Sequence, residues 1–314
     1  MIHNTAIIHP SAELDSTVSV GAYSIIEKDV RIDKNTVIEP HAVIKSNTTI
    51  GCNNKIYQFS SIGEIPQDLK FRGEESQLII SDNNVFREFC TINRGTEAGI
   101  NKTVIGSDNL FMSYTHIAHD CIIKDNCIFS NAASLAGHVE VGNNVSLGGF
   151  TLVHQFCNIG DYAFSGLGSV ISRDVTPYTL VAGNHARAYK INTTGLKRSG
   201  IADEVIQSLE KLFKLFIKSK TPREDCIKSY EESKMDFEES KKSLQESCPF
   251  QPRQQGCLRG HLFVRKLVRQ LPSMEKPPTD HIKYDHSHCW CWKNICLMLD
   301  YSSDDNLKYI GSRF

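Results

Sequence analysis

The chain has 314 residues, with 35 lysine and arginine residues against 36 aspartate and glutamate residues, and a formal net charge of −1. This length accommodates one large domain and a smaller one. The balanced charge argues against a nucleic-acid-binding protein, since such proteins carry a basic surplus. No apolar run approaches the roughly 18 residues of a membrane span, and the N-terminus lacks the layout of a signal peptide, so we expect a cytoplasmic protein.

From the N-terminus, an aliphatic residue recurs at every sixth position. The series is Ile2, Ile8, Leu14, Val20, Ile26, Ile32, Ile38, Ile44, Ile50, Ile56 and Ile62. An α-helix repeats at about 3.6 residues and a half-buried strand at about 2, whereas a period of six is typical of a parallel β-helix. Each hexad forms one short strand and a corner, and three hexads close a triangular coil. Residues 18 positions apart therefore lie above one another.

Two excursions interrupt the hexads. The first, residues 63–78, leaves the phase intact, because the series resumes at Ile80. The second, residues 97–103, shifts the phase by one residue. The series then continues with a single miss, at Ser165. The pattern predicts a mainly β protein whose β-helix domain covers residues 1–177.

After the hexads, residues 178–198 lack a period, and we predict an irregular connector with a basic end. A helix is predicted from Ile201, because the apolar residues after it are three or four positions apart. They are Val205, Leu209, Leu212, Phe213, Phe216 and Ile217. A second helix is predicted from Thr221 to about Glu246, since Thr221-Pro222-Arg223-Glu224 forms a capping box with proline at the first helical position.

Residues 199–260 are therefore predicted to form a small α-helical C-terminal domain. The last segment, residues 261–314, has no helical or strand period and contains both tryptophans and the run His286-Ser287-His288-Cys289-Trp290-Cys291. Histidine and cysteine are zinc ligands, but their spacing here matches no standard zinc pattern. We expect this segment to be an atypical, disordered tail.

Polar side chains cluster at one corner of the later coils. Residues 18 positions apart form columns along the prism. Three neighbouring columns at this corner contain His119, Asp120, Gly137, His138, His154 and Gln155. Adjacent coils are spaced like neighbouring strands, roughly 4.8 Å apart, so the patch should be about 10 Å tall. The convergence of these polar side chains at one corner of a regular β-helix predicts a functional site.

Two chemistries fit these residues. In the first, His119 is a general base that Asp120 orients, because a hydroxyl nucleophile needs a base that titrates near neutral pH. In the second, His119, His138 and a third histidine bind zinc, as in the hexapeptide-repeat carbonic anhydrases. Zinc requires its ligands to converge at about 2.0–2.1 Å. Since His154 is about two coils from His119, we favour the general base.

A family resemblance extends from Met1 to about Glu246. The segments that carry it are IYQFSSIGE (56–64), QDLK (67–70), RGT (94–96), GSDNL (106–110), HIAHDC (116–121), LAGHV (135–139), VHQF (153–156), GNHA (183–186) and GLKR (195–198). In this order they resemble the bacterial UDP-N-acetylglucosamine O-acyltransferases that begin lipid A synthesis. The hexapeptide repeat alone would not identify a family. The first excursion, the histidine pairs and the connector, found together in this order, are specific for this one.

The resemblance implies a homotrimer of left-handed β-helices, each followed by a helical segment, with active sites between neighbouring subunits. It implies transfer of an (R)-3-hydroxyacyl group from acyl carrier protein to the 3-hydroxyl of UDP-N-acetylglucosamine, without a cofactor or a metal. His119 matches the family's base, Asp120 its orienting partner, and the backbone N–H of Gly137 the oxyanion donor. The implied substrate-binding residues are Asp68, Lys70, His116, His138, His154, Gln155, Asn192 and Arg198.

The resemblance also implies a residue that limits acyl-chain length. Leu167 stands where members that use longer chains carry glycine, so we expect a preference for a shorter hydroxyacyl donor. The alternative is that Leu167 turns inward as ordinary packing. The chain departs from the family at Asn93, where histidine is frequent, and in its unusual tail.

Several alternatives remain open on the residues alone. The acceptor sugar could carry a 3-amino group in place of the 3-hydroxyl. An N-acylating relative has an additional N-terminal uridine-binding domain, for which hexads that begin at Ile2 leave no room. A zinc-dependent hydratase is the second enzyme class. A non-catalytic β-helix, such as an ice-binding protein, would expose a ladder of threonines rather than His119 and Asp120.

Overall fold

The computed structural model describes residues 1–219, 221–222 and 225–226, and its short parallel strands form three sheets, the faces of a triangular prism. Face 1 contains β1 (Ile7–Ile8), β4 (Ile25–Ile26), β7 (Val43–Ile44), β10 (Ser61–Glu64), β13 (Thr91–Asn93), β16 (His116–Ile117), β19 (Ser134–Leu135), β22 (Leu152–Val153) and β25 (Val170–Ile171). Face 2 contains β2 (Glu13–Leu14), β5 (Arg31–Ile32), β8 (Thr48–Ile50), β11 (Gln77–Ile80), β14 (Lys102–Ile105), β17 (Ile122–Ile123), β20 (Glu140–Val141) and β23 (Asn158–Ile159).

Face 3 contains β3 (Ser19–Val20), β6 (Val37–Ile38), β9 (Lys55–Ile56), β12 (Val85–Phe86), β15 (Leu110–Phe111), β18 (Ile128–Phe129), β21 (Ser146–Leu147), β24 (Phe164–Ser165), β26 (Thr179–Ala182) and β27 (Arg187–Ile191). Successive hexads occupy successive faces, and the fold is a left-handed parallel β-helix. The predicted fold class is confirmed.

The strand register agrees with the hexapeptide count. His116 pairs with Ser134, so residues 18 positions apart are neighbours in successive coils. Ile62 pairs with Ile92 across the first excursion, and the sequence separation of the two partners is a multiple of six. Ile92 pairs with Ile117 across the second excursion, and here the separation is not a multiple of six. The retained phase and the later shift by one residue are both confirmed.

The inward positions of the hexads form the core of the prism. From Ile26 to Ile62, each aliphatic residue at a sixth position is at most 1% exposed. Burial of such a side chain contributes roughly 1.5–3 kcal/mol. Ser165, the single miss, is buried as well, and its hydroxyl lies 2.8 Å from that of Thr151. The hydrogen bond between the two hydroxyls offsets the cost of burying them.

The predicted irregular connector over residues 178–198 is corrected by the structure. β26 continues face 3 in parallel with β24, and β27 returns antiparallel to β26. Val181 lies in the core opposite Ser165. The last coil is shorter than the others, since Ile159 bridges to Val175. Because the coil is shorter, its aliphatic residues no longer fall at every sixth position. The sequence pattern therefore does not indicate that the β-helix continues.

Two α-helices follow the last strand, α1 (Thr193–Arg198) and α2 (Asp203–Phe213), and a π-helical turn covers Lys214–Lys218. The predicted apolar stripe of α2 is buried, with Leu209 and Phe213 in one cluster with Tyr178 of the β-helix end. The helix predicted after Ile201 is therefore confirmed.

The remaining sequence predictions fall largely on residues that the structure does not describe. Of the second predicted helix, Thr221, Pro222, Asp225 and Cys226 are described, and Asp225 and Cys226 are helical. The predicted tail, residues 261–314, lies outside the described residues. Within the described part of the chain, no helix is long and apolar enough to cross a membrane.

Candidate active site

One edge of the prism collects most of the predicted site residues. We call it the site edge: the corner segments that connect face 1 to face 2. Both excursions are insertions in this edge, residues 65–76 between β10 and β11 and residues 94–101 between β13 and β14. The next three coils contribute the corners 118–121, 136–139 and 154–157. The topology therefore brings both excursions and the clustered histidines to the same edge.

His119 and Asp120 form a hydrogen-bonded pair. His119 Nδ1 lies 2.8 Å from Asp120 Oδ2. A carboxylate can only accept, so Nδ1 carries the proton and the lone pair of Nε2 faces outward for proton transfer. The Asp120 side chain is 0% exposed and that of His119 is 13% exposed. The pair thus has a buried orienting anion and an accessible imidazole, the arrangement that a general base needs.

The second excursion surrounds the Asp120 carboxylate. The Thr96 hydroxyl donates to Oδ2 at 2.6 Å, and the N–H groups of Thr96 and Ile100 donate to Oδ1 at 3.1 and 3.0 Å. Burial alone would raise the pKa of Asp120, but the hydrogen bonds from His119, Thr96 and Ile100 outweigh it, and the pKa is lowered. Asp120 is therefore an anion at neutral pH.

Gly137 lies over the His119 ring in the following coil. A Cβ built on Gly137 would be 2.6 Å from Cε1 and 2.8 Å from Nε2 of His119. Only glycine fits at this distance, because real Cβ atoms do not approach so closely. None of the described residues accepts a hydrogen bond from the Gly137 N–H. This N–H is free to bind an oxyanion that forms beside Nε2.

His138 fills the space beside the pair. Its ring stacks on Phe156 at a centroid distance of 4.4 Å and meets the His119 ring edge to face at 5.0 Å. His138 Nδ1 is 4.0 Å from Asp120 Oδ2, too far for a hydrogen bond. His138 is held by its neighbours next to the base, where a substrate group could contact it.

Three other predicted residues lie next to this cluster. His116 Nδ1 is 2.8 Å from the Thr91 hydroxyl, and burial and the nearby His119 lower the pKa of His116. His116 is thus a neutral ring on face 1. His154 and Gln155 occupy the corner two coils beyond His119 and line a groove of about 280 Å³ together with Arg173.

The first excursion places Asp68 and Lys70 on the site edge. Asp68 Oδ1 accepts a hydrogen bond from the Lys70 N–H at 2.9 Å, so the aspartate shapes the turn that presents the lysine. Lys70 lines an open depression of about 580 Å³ with Glu97 of the second excursion. The two excursions therefore form one continuous rim beside the histidines.

The structure does not bring every predicted residue to this edge. Asn192 caps α1: its side chain accepts from the Gly195 N–H and donates to the Tyr162 carbonyl, at the corner between faces 2 and 3. Arg198 ends the same helix. Leu167 lies at the corner between faces 3 and 1 and is 56% exposed, so it does not turn inward.

Sequence reasoning missed Thr96, Gly99, Ile100 and Phe156. The first three lie on an excursion, and an insertion has no column in the 18-residue count. Their one available signal was the position of that insertion, which interrupts the same corner that carries His119 and Asp120 one coil later. Phe156 stands in the column of His138, and the count could have identified it.

The same cluster contains possible zinc ligands. His119, Asp120 and His138 each offer one ligand atom, and these atoms lie within 4.8 Å of one another. However, Asp120 already accepts hydrogen bonds from Thr96 and Ile100, and its side chain has no exposed surface. The three-histidine arrangement expected for zinc is not found among the described residues, because the third member of the cluster is Asp120 and not His154. These residues fit a base better than a metal.

Comparisons with known proteins point to one family. Family models described as "Udp N-acetylglucosamine O-acyltransferase; Domain 2" and "Bacterial transferase hexapeptide (six repeats)" match residues 174–257 and 102–137. The acyl-(acyl-carrier-protein)–UDP-N-acetylglucosamine O-acyltransferase of Herminiimonas arsenicoxydans is 47% identical over 226 residues, 72% of this chain and 86% of that protein. The enzyme of the same name from Janthinobacterium sp. (strain Marseille) is 44% identical over 256 residues, 81% of this chain and 98% of that one. The solved structure of LpxA from Acinetobacter baumannii matches with a TM-score of 0.71 at 45% identity, over 73% of this chain and 89% of that chain.

Proposed function

The chain belongs to the family of acyl-(acyl-carrier-protein)–UDP-N-acetylglucosamine O-acyltransferases, and on that premise we propose its substrates and mechanism. The protein is an acyltransferase. It transfers an (R)-3-hydroxyacyl group from acyl carrier protein to the 3-hydroxyl of UDP-N-acetylglucosamine, the first step of lipid A biosynthesis. The observation that carries the proposal is the buried Asp120 that orients His119 beneath the N–H of Gly137.

The proposed reaction uses His119 first as a base and then as an acid. His119 Nε2 takes the proton of the sugar 3-hydroxyl while that oxygen attacks the thioester carbonyl carbon. The carbonyl oxygen becomes an oxyanion that accepts a hydrogen bond from the Gly137 N–H. When the intermediate collapses, the carbon–sulfur bond breaks, and His119 returns its proton to the departing thiolate of the carrier protein. Asp120 keeps its charge throughout and stabilises the imidazolium.

The other predicted residues serve binding in this proposal. Lys70 and Asp68 on the rim, together with His138 and Gln155, contact the sugar and the phosphates. His116 and His154 flank them on the same side of the site edge. Asn192 and Arg198 contact the nucleotide, for which a guanidinium suits a pyrophosphate. We place the reaction in the cytoplasm, where both proposed substrates are found.

We further propose that three chains assemble into a homotrimer whose active sites are shared. Asn192 and Leu167 lie at other corners of the prism than His119, and Arg198 ends the helix that Asn192 caps. In one chain they could not act on a substrate held at the site edge, but a neighbouring subunit could supply them. Apolar side chains on the outer surface of face 3 favour such contacts; they include Val85, Leu110, Ile128, Phe164 and Leu180, all half-buried in the single chain.

An assay of the purified protein tests the proposed reaction. We expect transfer to UDP-N-acetylglucosamine from hydroxyacyl carrier proteins, with little transfer from the matching carrier proteins that lack the 3-hydroxyl. UDP-sugars with a 3-amino group serve as the competing acceptor. Transfer to the amino sugar alone would contradict the proposed acceptor. Hydration of CO₂ restored by added zinc, without acyl transfer, would contradict the acyltransferase mechanism.

Mixed trimers test the shared site. His119→Ala and Arg198→Ala chains with different tags are co-expressed, and trimers that contain both tags are purified. Each variant alone should be nearly inactive. If each site takes His119 from one chain and Arg198 from the next, each trimer that contains both variants should have one intact site, about one third of its sites. Activity that stays at the level of the separate variants would show that each chain holds its own complete site.

A further inference from the structure

The Asp120 carboxylate is held from two opposite directions. His119 donates from within the same corner, and the turn of the second excursion donates from the coil before it. Oδ2 accepts both the Thr96 hydroxyl at 2.6 Å and His119 Nδ1 at 2.8 Å. Oδ1 accepts the N–H groups of Thr96 and Ile100. The side chain that orients the base is therefore itself oriented by a segment inserted outside the hexapeptide repeat.

Gly99 shows how closely this turn approaches the carboxylate. A Cβ built on Gly99 would collide with the carboxyl carbon and both carboxylate oxygens of Asp120. The φ angle of Gly99 is not in the left-handed region, so the backbone itself does not require glycine there. Close approach to Asp120 is the reason that a side chain is excluded.

A buried carboxylate without hydrogen bonds would protonate or turn toward solvent. The second excursion supplies neutral donors, the Thr96 hydroxyl and the N–H groups of Thr96 and Ile100, so Asp120 stays ionised and its charge remains available to His119.

The titratable groups near Asp120 in the described part of the chain include His119 beside it, His138 in the next coil and Cys121 after it. Burial and the charge of Asp120 raise the pKa of Cys121 to about 12, so this thiol stays neutral. His116 on face 1 interacts with His119.

We infer that Thr96 is a positioning residue of the His119–Asp120 pair: its hydroxyl, with the N–H groups of the Thr96–Ile100 turn, fixes the carboxylate that aims His119. Thr96 is buried, and its hydroxyl is bonded to Asp120, through which it acts. The inference rests on the proposed function, in which His119 is the base. It assigns a role to the second excursion, which becomes a support for the pair in addition to a rim of the site.

The test compares Thr96→Val with Thr96→Ser. Valine keeps the shape and removes the hydroxyl, so kcat should fall about tenfold, as expected for a lost hydrogen bond to a charged group. KM for UDP-N-acetylglucosamine should change little. The Thr96 hydroxyl stabilises the Asp120 carboxylate most when the His119–Asp120 pair is unprotonated. Its loss should therefore move the acid limb of the pH profile of kcat/KM to higher pH, by roughly half a pH unit or more. Thr96→Ser should restore both quantities.

Two further variants separate positioning from general stability. Thr36→Val removes a buried hydroxyl that donates to the Gly51 carbonyl in the early coils, and it should leave kcat and the acid limb unchanged. Gly99→Ala keeps Thr96 but pushes the turn away from Asp120, and it should lower kcat and move the acid limb as Thr96→Val does. An unmoved acid limb in both Thr96→Val and Gly99→Ala would overturn the inference, whatever the change in kcat.

Nuclear magnetic resonance of ¹⁵N-histidine-labelled free enzyme makes this test independent of turnover. The His119 signals are assigned by their loss in His119→Gln. Proton uptake by the pair should begin at a higher pH in Thr96→Val than in the unsubstituted protein. That shift in a protein without acyltransferase activity would support the positioning and refute the proposed function. Identical titrations in an active enzyme would refute the positioning alone.

Discussion

Replacing His119 with alanine is expected to lower kcat of acyl transfer by about 10²–10⁴-fold, the usual contribution of a positioned general base. Without the imidazole, the sugar hydroxyl must lose its proton to water, and the leaving thiolate receives no proton. The measurement is steady-state transfer from hydroxyacyl carrier protein, with UDP-N-acetylglucosamine affinity measured separately by calorimetry. Affinity should change little, because the base contributes mainly in the transition state.

His138→Ala is the matched control for His119→Ala. Both substitutions remove an imidazole from the site edge, and the centroids of the two rings are 5.0 Å apart. His138 makes no hydrogen bond to Asp120, so its removal should chiefly raise KM and leave kcat within about tenfold. A near-normal kcat in His119→Ala, or equal losses of kcat in the two variants, would contradict the assignment of His119 as the base.

Leu167→Gly is expected to lengthen the preferred acyl donor. Leu167 is exposed, and its Cδ1 would be 3.1 Å from a Cβ built on Gly149, so the leucine lies across a glycine of the preceding coil. In the proposed trimer it closes the far end of the groove between subunits. A longer chain forfeits about 0.8 kcal/mol for each methylene left unburied, so four methylenes correspond to a discrimination of roughly a hundredfold.

The chain-length profile is measured with hydroxyacyl carrier proteins that differ by two carbons. In Leu167→Gly, kcat/KM for the long donors should rise by up to about a hundredfold, while the short donors lose some affinity. Leu167→Met has a similar volume and should keep the profile of the unsubstituted protein. An unchanged profile in Leu167→Gly would show that another residue limits the chain.

The position of the site could be predicted from the sequence because of one property of this fold. In a β-helix each coil contacts only the coils beside it, and strand spacing sets their separation. The register therefore places His119 beneath Gly137, and Asp120 beneath His138, without knowledge of any distant contact. The excursions could be located for the same reason, since they are breaks in a regular count.

Contacts outside the repeat could not be predicted in this way. The turn that binds Asp120 depends on hydrogen bonds from Thr96 and Ile100, and an insertion has no periodicity to indicate its path. The last coil does not follow the hexapeptide count because it is shorter than the others, so the sequence predicts an irregular connector there. Asn192 matched a nucleotide contact by its motif, and the structure shows that its amide also caps α1.

By itself, the sequence determined the β-helix, its register, the corner that carries His119 and Asp120, and the apolar face of α2. These features follow from local repetition, in which every hexad packs against the hexads 18 residues before and after it. Only the tertiary structure decided how Asp120 is kept charged, why Gly99 and Gly137 have no side chain, and that the side chain of Leu167 points outward. Each of these depends on the path of one particular segment, and hydrogen bonds and close contacts between segments determine that path.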